Sequence, residues 1–515
     1  MDPGSSNMNA GENRPRPSSI SGGDTDVDIE ETLFVLPCTD EQKVVFAAFK
    51  LIGEAKRQWR SARLIEEQRL VPIPVTWDQF KELLFERYFP TIIRSAKAVE
   101  FVHLEGITRE EEEEEEELGM GLRGGLVVLV VLCLVHGSAS AGGPLPKVFN
   151  IRDYGAIGDG QTDNAKAFSN AWTAACQWNG KSRVYVPFGS YLLSSAVFKG
   201  PCNGPISFRI QGLIKARRDL LDQEVWINFR YVNRLVIGGG GTIDGQGSVA
   251  WSNSFCRQST NCRSLPLSLG LDFVTNSRVR GIRSVNSKNT HINLFGCDNV
   301  NITQVRITAP DDSPNTDGIR IGSSTRITIA QSFIGTGDDC VSMLSGNQNI
   351  LVSQVTCAPG HGISVGSLGK YQGEANVNGI TVERCTFIGT QNGVRIKTWA
   401  DSASSSLASN FLFENIEMRD VLNPIIIDQE YCPYPPCPAE SSKQVQIRDV
   451  TFRNIWGRSK SRTAVFLRCS KTVPCKNLKM EDINLAYFGP GGPANSSCSN
   501  ALGAASGLQN PRICI

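Results

Sequence analysis

Residues 142–515 predict an all-β fold, a parallel β-helix. The first observation behind this is a short template, apolar-x-apolar-x-x-small or apolar-x-apolar. It recurs as VNITQVRI from Val300, ITIAQSFI from Ile327, ILVSQVTC from Ile350, ITVERCTF from Ile380, FLFENIEM from Phe411, VQIRDVTF from Val445 and LKMEDINL from Leu478. The starts are 27, 23, 30, 31, 34 and 33 residues apart. The second observation is a set of shorter runs between them: INL at Ile292, IRI at Ile319, ISV at Ile363, VRI at Val394 and III at Ile425. The third is punctuation of these runs by Gly and Asn, the residues turns require. Each run alternates like a strand but is too short for an isolated sheet. Units of two or three such strands stack as the coils of a solenoid. Leucine-rich repeats would need regular leucines and a tighter period, and a propeller would need longer antiparallel strands.

Other segments precede the solenoid. Residues 1–40 are polar, with Gly, Ser and Pro, the composition of disordered chain. Residues 41–108 carry helical spacing in EQKVVFAAFKLIGEAKRQWRSAR (41–63) and TWDQFKELLFERYFP (76–90). Residues 109–119 form an acidic linker built on the unbroken run Glu110 to Glu117. Residues 120–141 read as a secretory signal peptide. Arg123 supplies the positive start, Leu126 to Val135 the apolar run, and Ala139-Ser140-Ala141 the cleavage pattern. That run is short for a membrane span. The 41–108 segment resembles the capsid-like region of plant retrotransposon gag proteins, with TWDQFKELLFERYFP carrying the similarity. The expectation is that residues 1–119 were joined to a secreted protein starting at Met120.

Charge and cysteine divide at the same place. Residues 1–118 hold 14 Lys and Arg against 25 Asp and Glu, a net of −11, whereas residues 142–515 hold 37 against 26, a net of +11. A positive domain suggests a polyanionic partner. Fourteen of the 16 cysteines follow residue 142, which suggests disulfides and an oxidising compartment. Only two histidines, His291 and His361, accompany them, and no CxxC pair exists, so a zinc site is the weaker reading. At the start of the solenoid, DGQTDNAKAFSNAWTAAC predicts a helix capped by Thr162 or Asp163. Phe168, Trp172, Ala175 and Cys176 would line its buried face. Such a helix could cover the open end of the first coil, which would otherwise present a raw edge.

The chemistry lies where short strands begin. Asp317 precedes IRI, Asp338 and Asp339 precede VSM, and His361 precedes ISV. Asp317 to Asp339 and Asp339 to His361 are each 22 residues. If a coil takes that length here, these groups occupy equivalent places on consecutive coils, with neighbouring strands about 4.8 Å apart. One coil further on, VRIK sets Arg395 and Lys397 on the face opposite Val394 and Ile396. Strict alternation would turn Asp317 and Asp339 inward with Ile319 and Val341. The neighbouring Gly318, Gly337, Gly360 and Gly362 make a bend plausible before each strand. Three carboxylates and an imidazole beside two cations suit hydrolysis of a glycosidic bond in an acidic sugar. A crowded carboxyl can hold the proton that a leaving oxygen needs, and another can stay ionised to activate water.

The motifs SPNTDG, GDDC, GHG and RIK, in this order, resemble the four signatures of polygalacturonases, the pectin-degrading glycoside hydrolases. FNIRDYGAIGDGQTD and IIIDQEYC are similar to plant members. The resemblance implies a right-handed parallel β-helix and inverting hydrolysis of α-1,4-galacturonan, with no cofactor and no metal. It assigns Asp338 as general acid, Asp317 and Asp339 to holding and activating water, and His361 to supporting the acid's proton state. Arg395 and Lys397 would bind substrate, with Tyr431 a further candidate, and Cys340 would pair with Cys357. The implied protein is a secreted cell-wall monomer whose partner is pectin or polygalacturonate, with no nucleic acid or membrane bound by the catalytic domain. VFKGPC and SVGSLGKY are closer to the exo-acting pollen type than to endo-acting enzymes. Arg320 stands where many relatives carry histidine, and Ala358 where glycine is common. A pectate lyase and a non-catalytic pectin-binding β-helix are the alternatives. The lyase would want calcium-binding acids and a catalytic base of high pKa, and the binding protein would need only the cations. Asn301 and Asn495 head N-glycan acceptor triplets.

Overall fold

The computed structural model describes residues 145–219, 223–251, 265–433, 435–437 and 443–515. All of these belong to the second of the chain's two units, Ala139–Ile515. The segments expected at 1–40, 41–108, 109–119 and 120–141 lie outside the described residues. No described helix is long and apolar enough to cross a membrane.

The described residues form a parallel β-helix. One sheet of 20 strands and another of 11 run its length, and every strand pairing is parallel. The template recurrences lie on the larger sheet, where Val300, Ile327, Ile350, Ile380 and Phe411 stand in one row. Their apolar partners two residues on, Ile302, Ile329, Val352, Val382 and Phe413, are fully buried. Between the strand pairs of successive coils, Gln304, Gln331, Gln354, Arg384, Asn415, Asn454 and Asp482 all adopt positive φ. This left-handed corner recurs coil after coil, and Asn tolerates it better than most residues. The Asn454 amide donates to Asn415 Oδ1 at 2.9 Å across one such step.

The sixth recurrence differs from the expectation. Phe411 pairs with Val450, not Val445, and Val450 pairs with Leu478. The apolar template nearly overlaps itself at a shift of five residues: VQIRDVTF satisfies it, and VTFRNIWG departs from it only at the last position, Gly457. The neighbouring strand decides between them, because Ile447 is already placed opposite Ala408.

The helix expected at the start is present as α1, Ala165–Cys176. Phe168, Trp172, Ala175 and Cys176 are buried, as are Ala167 and Ala171. Trp172 packs at 5.2 Å from Phe198 and 5.3 Å from Phe229, and its indole donates to Lys199 O at 3.1 Å. The disulfide Cys176–Cys202 ties the helix end to the next coil. The expected cap is displaced. Asn164 takes the N-cap position, and its side chain bonds instead to Ile157, Thr162 and Leu192. Asp163 accepts from the Ala165 and Ser194 amides, joining the helix start to a neighbouring strand.

Candidate active site

Six strands of the smaller sheet carry the site: β1 (Ile292–Phe295), β2 (Ile319–Gly322), β3 (Val341–Met343), β4 (Ile363–Leu368), β5 (Asn392–Trp399) and β6 (Asn423–Tyr431). Ile292, Ile319, Val341, Ile363, Val394 and Ile425 stack in register and point into the core. Asp317, Asp339 and His361 each stand two residues before one of these inward residues. The equal spacing therefore becomes one column. Backbone bonds fix the step: Gly318 N donates to Asp339 O at 2.9 Å, and Cys340 N to Gly362 O at 2.8 Å.

The acids do not follow strand alternation inward. Asp317 accepts from Ser342 Oγ at 2.7 Å, and Asp339 from Ser364 Oγ at 2.8 Å. Ser342 and Ser364 occupy the outward row, in register with Arg320 and Arg395. The chain turns at Gly318 between Asp317 and Ile319 and at Gly362 between His361 and Ile363, while Cys340 holds the equivalent place after Asp339. A Cβ on Gly318 would come 2.2 Å from Ile334 Cγ2, and Gly362 holds φ +81° with its Cβ direction blocked by the Asn392 carbonyl. Only glycine fits these corners. The corner lets a carboxylate leave the core within two residues of an isoleucine.

Asp339 is 4% exposed and accepts from Lys397 Nζ at 2.7 Å. Lys397 is itself buried, and that burial disfavours its charge. The Asp339 carboxylate outweighs the burial, so the ammonium pKa is raised. Asp338 Oδ1 faces His361 Nδ1 at 3.1 Å and also accepts from the Asp339 amide at 2.8 Å. Burial pushes the Asp338 carboxyl up, but the His361 hydrogen bond and charge, with Lys397, outweigh it and hold it below its ordinary value. The same contact works in reverse on His361. Burial disfavours the imidazolium, yet Asp338 and Asp339 together raise its pKa. Asp317 is pushed up to about 7, by burial first and by the Asp338 charge second, against the pull of Arg320. Asp317 and Asp338 thus differ in proton affinity because His361 bonds Asp338 directly, whereas Asp317 is hydrogen-bonded only by the neutral Ser342.

Oxygens of Asp338 and Asp339 and a ring nitrogen of His361 converge within 4.8 Å. This is also the spacing of a metal cluster. Here Lys397 and Ser364 already take the oxygens of Asp339, so the acid's charge is answered by a side-chain cation.

Arg395 and Tyr431 flank this cluster. The Arg395 guanidinium lies 5.1 Å from the Tyr431 ring centre and Lys397 Nζ 5.5 Å from it. Trp399 meets Tyr431 edge-on at 5.4 Å. Beyond them opens a cleft of about 590 Å³, lined by Arg395, Asp428, Glu430, Tyr431 and Arg468 among others. Arg468 donates to Asp428 at 2.8 and 3.0 Å. Cys340 and Cys357 are bonded directly behind the aspartate pair, with Cα atoms 5.8 Å apart.

Sequence reasoning missed Ser342, Ser364 and Arg468. Following the register of Lys397 for two coils, through Asp428, would have reached Arg468. The irregular stretch between β6 and the next template hid that step.

A parallel β-helix with an outward column of acids, imidazole and cations defines a carbohydrate-type groove on a solenoid. The chain belongs to the glycosyl hydrolases family 28, which it matches over residues 176–507. It is 45% identical over 369 residues to an exopolygalacturonase of Platanus acerifolia, covering 71% of this chain and 97% of that one. It is 42% identical over 401 residues to an exopolygalacturonase of Zea mays, covering 76% and 98%. Among solved structures, the endo-xylogalacturonan hydrolase of Aspergillus tubingensis superimposes with a TM-score of 0.59 at 25% identity, covering 70% of this chain and all of that one.

Proposed function

We propose that this chain hydrolyses α-1,4-galacturonosidic bonds of polygalacturonate in cell-wall pectin, with inversion, attacking from chain ends. The column of Asp317, Asp338, Asp339 and His361 beside Lys397 and Arg395 carries this reading. It offers two proton environments side by side and cations for an acidic sugar. Relatives that are exopolygalacturonases over nearly their whole length support the substrate and the exo mode. Five disulfides among the described residues support action outside the cell as a secreted protein.

The geometry suggests the division of labour. Asp338 and His361 form the acid. The proton resides on His361 Nδ1 while Asp338 is ionised, and it moves across 3.1 Å to Asp338 as the glycosidic oxygen begins to accept. Asp339, hydrogen-bonded by Lys397, takes a proton from the attacking water, and Asp317 positions that water from the adjacent coil. Arg395 grips a uronate carboxylate as a planar fork, over the Tyr431 ring.

Reducing-end release from polygalacturonate, without the ultraviolet absorbance of an unsaturated product, is expected from hydrolysis. An absorbing product would mean elimination instead. Monomer from the first time points would establish end-on attack, and mixed oligomers would refute it. Asp338→Asn should lower kcat by roughly 10²–10⁴-fold, the range for loss of a general acid. Unchanged turnover in that variant would remove Asp338 from the acid role.

A further inference from the structure

We propose that Arg320 is a second carboxylate-binding residue, placed on the far side of the aspartates from Arg395, so that the groove reads a uronate on both flanks of the scissile bond. This rests on the polygalacturonate reading above and extends it to a requirement for free acid on the sugars.

The placement follows from register. Arg320, Ser342, Ser364 and Arg395 stand opposite one another on β2, β3, β4 and β5, all in the outward row. Three strand steps separate the two arginines, about 14 Å along the helix axis. The two serines between them hold Asp317 and Asp339. A chain of linked pyranoses laid along this axis therefore passes Arg320, the acids and Arg395 in turn.

The two guanidiniums also share an electrostatic condition. Arg320 makes no ion pair among the described residues. Its Nη2 is held from the preceding coil by Thr290 Oγ1, with Asn289 Oδ1 at 3.5 Å, both neutral acceptors. Its Nε is buried and finds no acceptor, which is equally true of Arg395 Nε. A half-buried guanidinium without a carboxylate partner is costly, and an anionic ligand lowers that cost. Elsewhere on the described surface, Arg230, Arg326, Arg453 and Arg468 are each neutralised by a carboxylate. Asp317 is near enough to feel the Arg320 charge, but it is hydrogen-bonded by Ser342 rather than by Arg320. The half-buried guanidinium therefore carries a charge that no carboxylate of the described protein answers, and an anion that comes with the substrate would answer it. A methyl ester there would remove the charge and leave the fork unanswered.

The test compares full-length wild type, Arg320→Gln and Arg320→Lys on de-esterified polygalacturonate and on highly methyl-esterified pectin. Melting temperatures would be taken alongside to confirm folding. Arg320→Gln should raise KM on polygalacturonate about ten-fold, as expected for losing one charge-assisted contact. It should affect kcat less and narrow the preference for the acid over the ester by a similar factor. Arg320→Lys keeps the charge but loses the planar fork, and should give an intermediate KM. If Arg320→Gln shifts only the pH profile and keeps the wild-type acid-over-ester preference, Arg320 acts through Asp317 alone and the proposal is overturned. Should the glutamine variant fail to fold, a lysine variant with the wild-type KM overturns it equally. A wild type that splits neither substrate would bring down the polygalacturonate reading itself, whereas an active wild type with an indifferent Arg320 sinks only this inference.

Discussion

Asp317 shows how much the site departs from a merely stable surface. Its carboxyl is held up to about 7, first by burial and then by the Asp338 charge. In the unfolded chain it returns to the ordinary aspartate range. The folded state therefore binds an extra proton between those two values. Stability from this group is full at acidic pH and is lost as pH rises toward and through about 7. Asp317→Asn removes the charge and the titration together. The variant should be more stable than wild type above neutral pH, and the fall in stability from mildly acidic to neutral pH should flatten. Urea midpoints across that range would measure it, and a variant with the wild-type pH slope would show that Asp317 is not the group responsible. At this scale the sequence exposed the titrating groups but not their supports. Asp317, the acid pair and His361 were visible because equal spacing selects them from a background of single acids. Ser342 and Ser364 were invisible, since an outward serine on a strand is ordinary until the register shows which carboxylate lies beneath it. The inward turn that alternation demanded was averted at Asp317 and His361 by backbone corners at Gly318 and Gly362, where a Cβ has no room.

The elements of a solenoid are individually unstable, and their worth lies in contact with the next coil. That makes α1 more than an ornament at the start. Trp172 touches Phe198 and Phe229 from successive coils, and its neighbour Phe168 packs on Tyr191 and Phe208. Trp172→Ala should cost about 3–5 kcal/mol, the range for a large aromatic removed from a core. The loss should concentrate in the first coils. Hydrogen exchange should quicken around residues 182–230 before it does around Asp339. Equal acceleration across the whole helix would mean that the coils unfold as one unit and that α1 protects no particular end. The capping helix itself was legible, because four apolar residues on one face allow little else. Its cap was not, since Thr162, Asp163 and Asn164 all suit the position. Tertiary bonds from Asn164 to Ile157 and Leu192 decided which residue took it. The misplaced sixth recurrence has the same origin. A nearly self-overlapping pattern has two local solutions, and only the adjacent strand selects one.

At the scale of the molecule, the charge imbalance and the groove point the same way. Residues 142–515 carry a net of +11, yet the acid column concentrates negative charge at the centre of the site. A polyanion is therefore drawn to the domain by its general field and resisted at its reactive centre. The local cations Lys397, Arg395 and Arg320 must carry the chain across that centre. Salt acts unequally on these two contributions. Diffuse attraction across exposed charges is screened beyond about 8–10 Å at ionic strengths near 0.1–0.15 M, whereas buried pairs such as Lys397 and Asp339 are screened far less. Raising salt from about 0.02 to 0.2 M should thus raise KM for polygalacturonate several-fold and leave kcat nearly constant. Short oligomers, which span less of the field, should respond less than the polymer. Initial-rate kinetics at matched pH on both substrates would read this directly. A kcat that fell with KM unchanged would place the salt effect inside the acid cluster, and would mean that the net positive charge of this domain does not serve substrate capture.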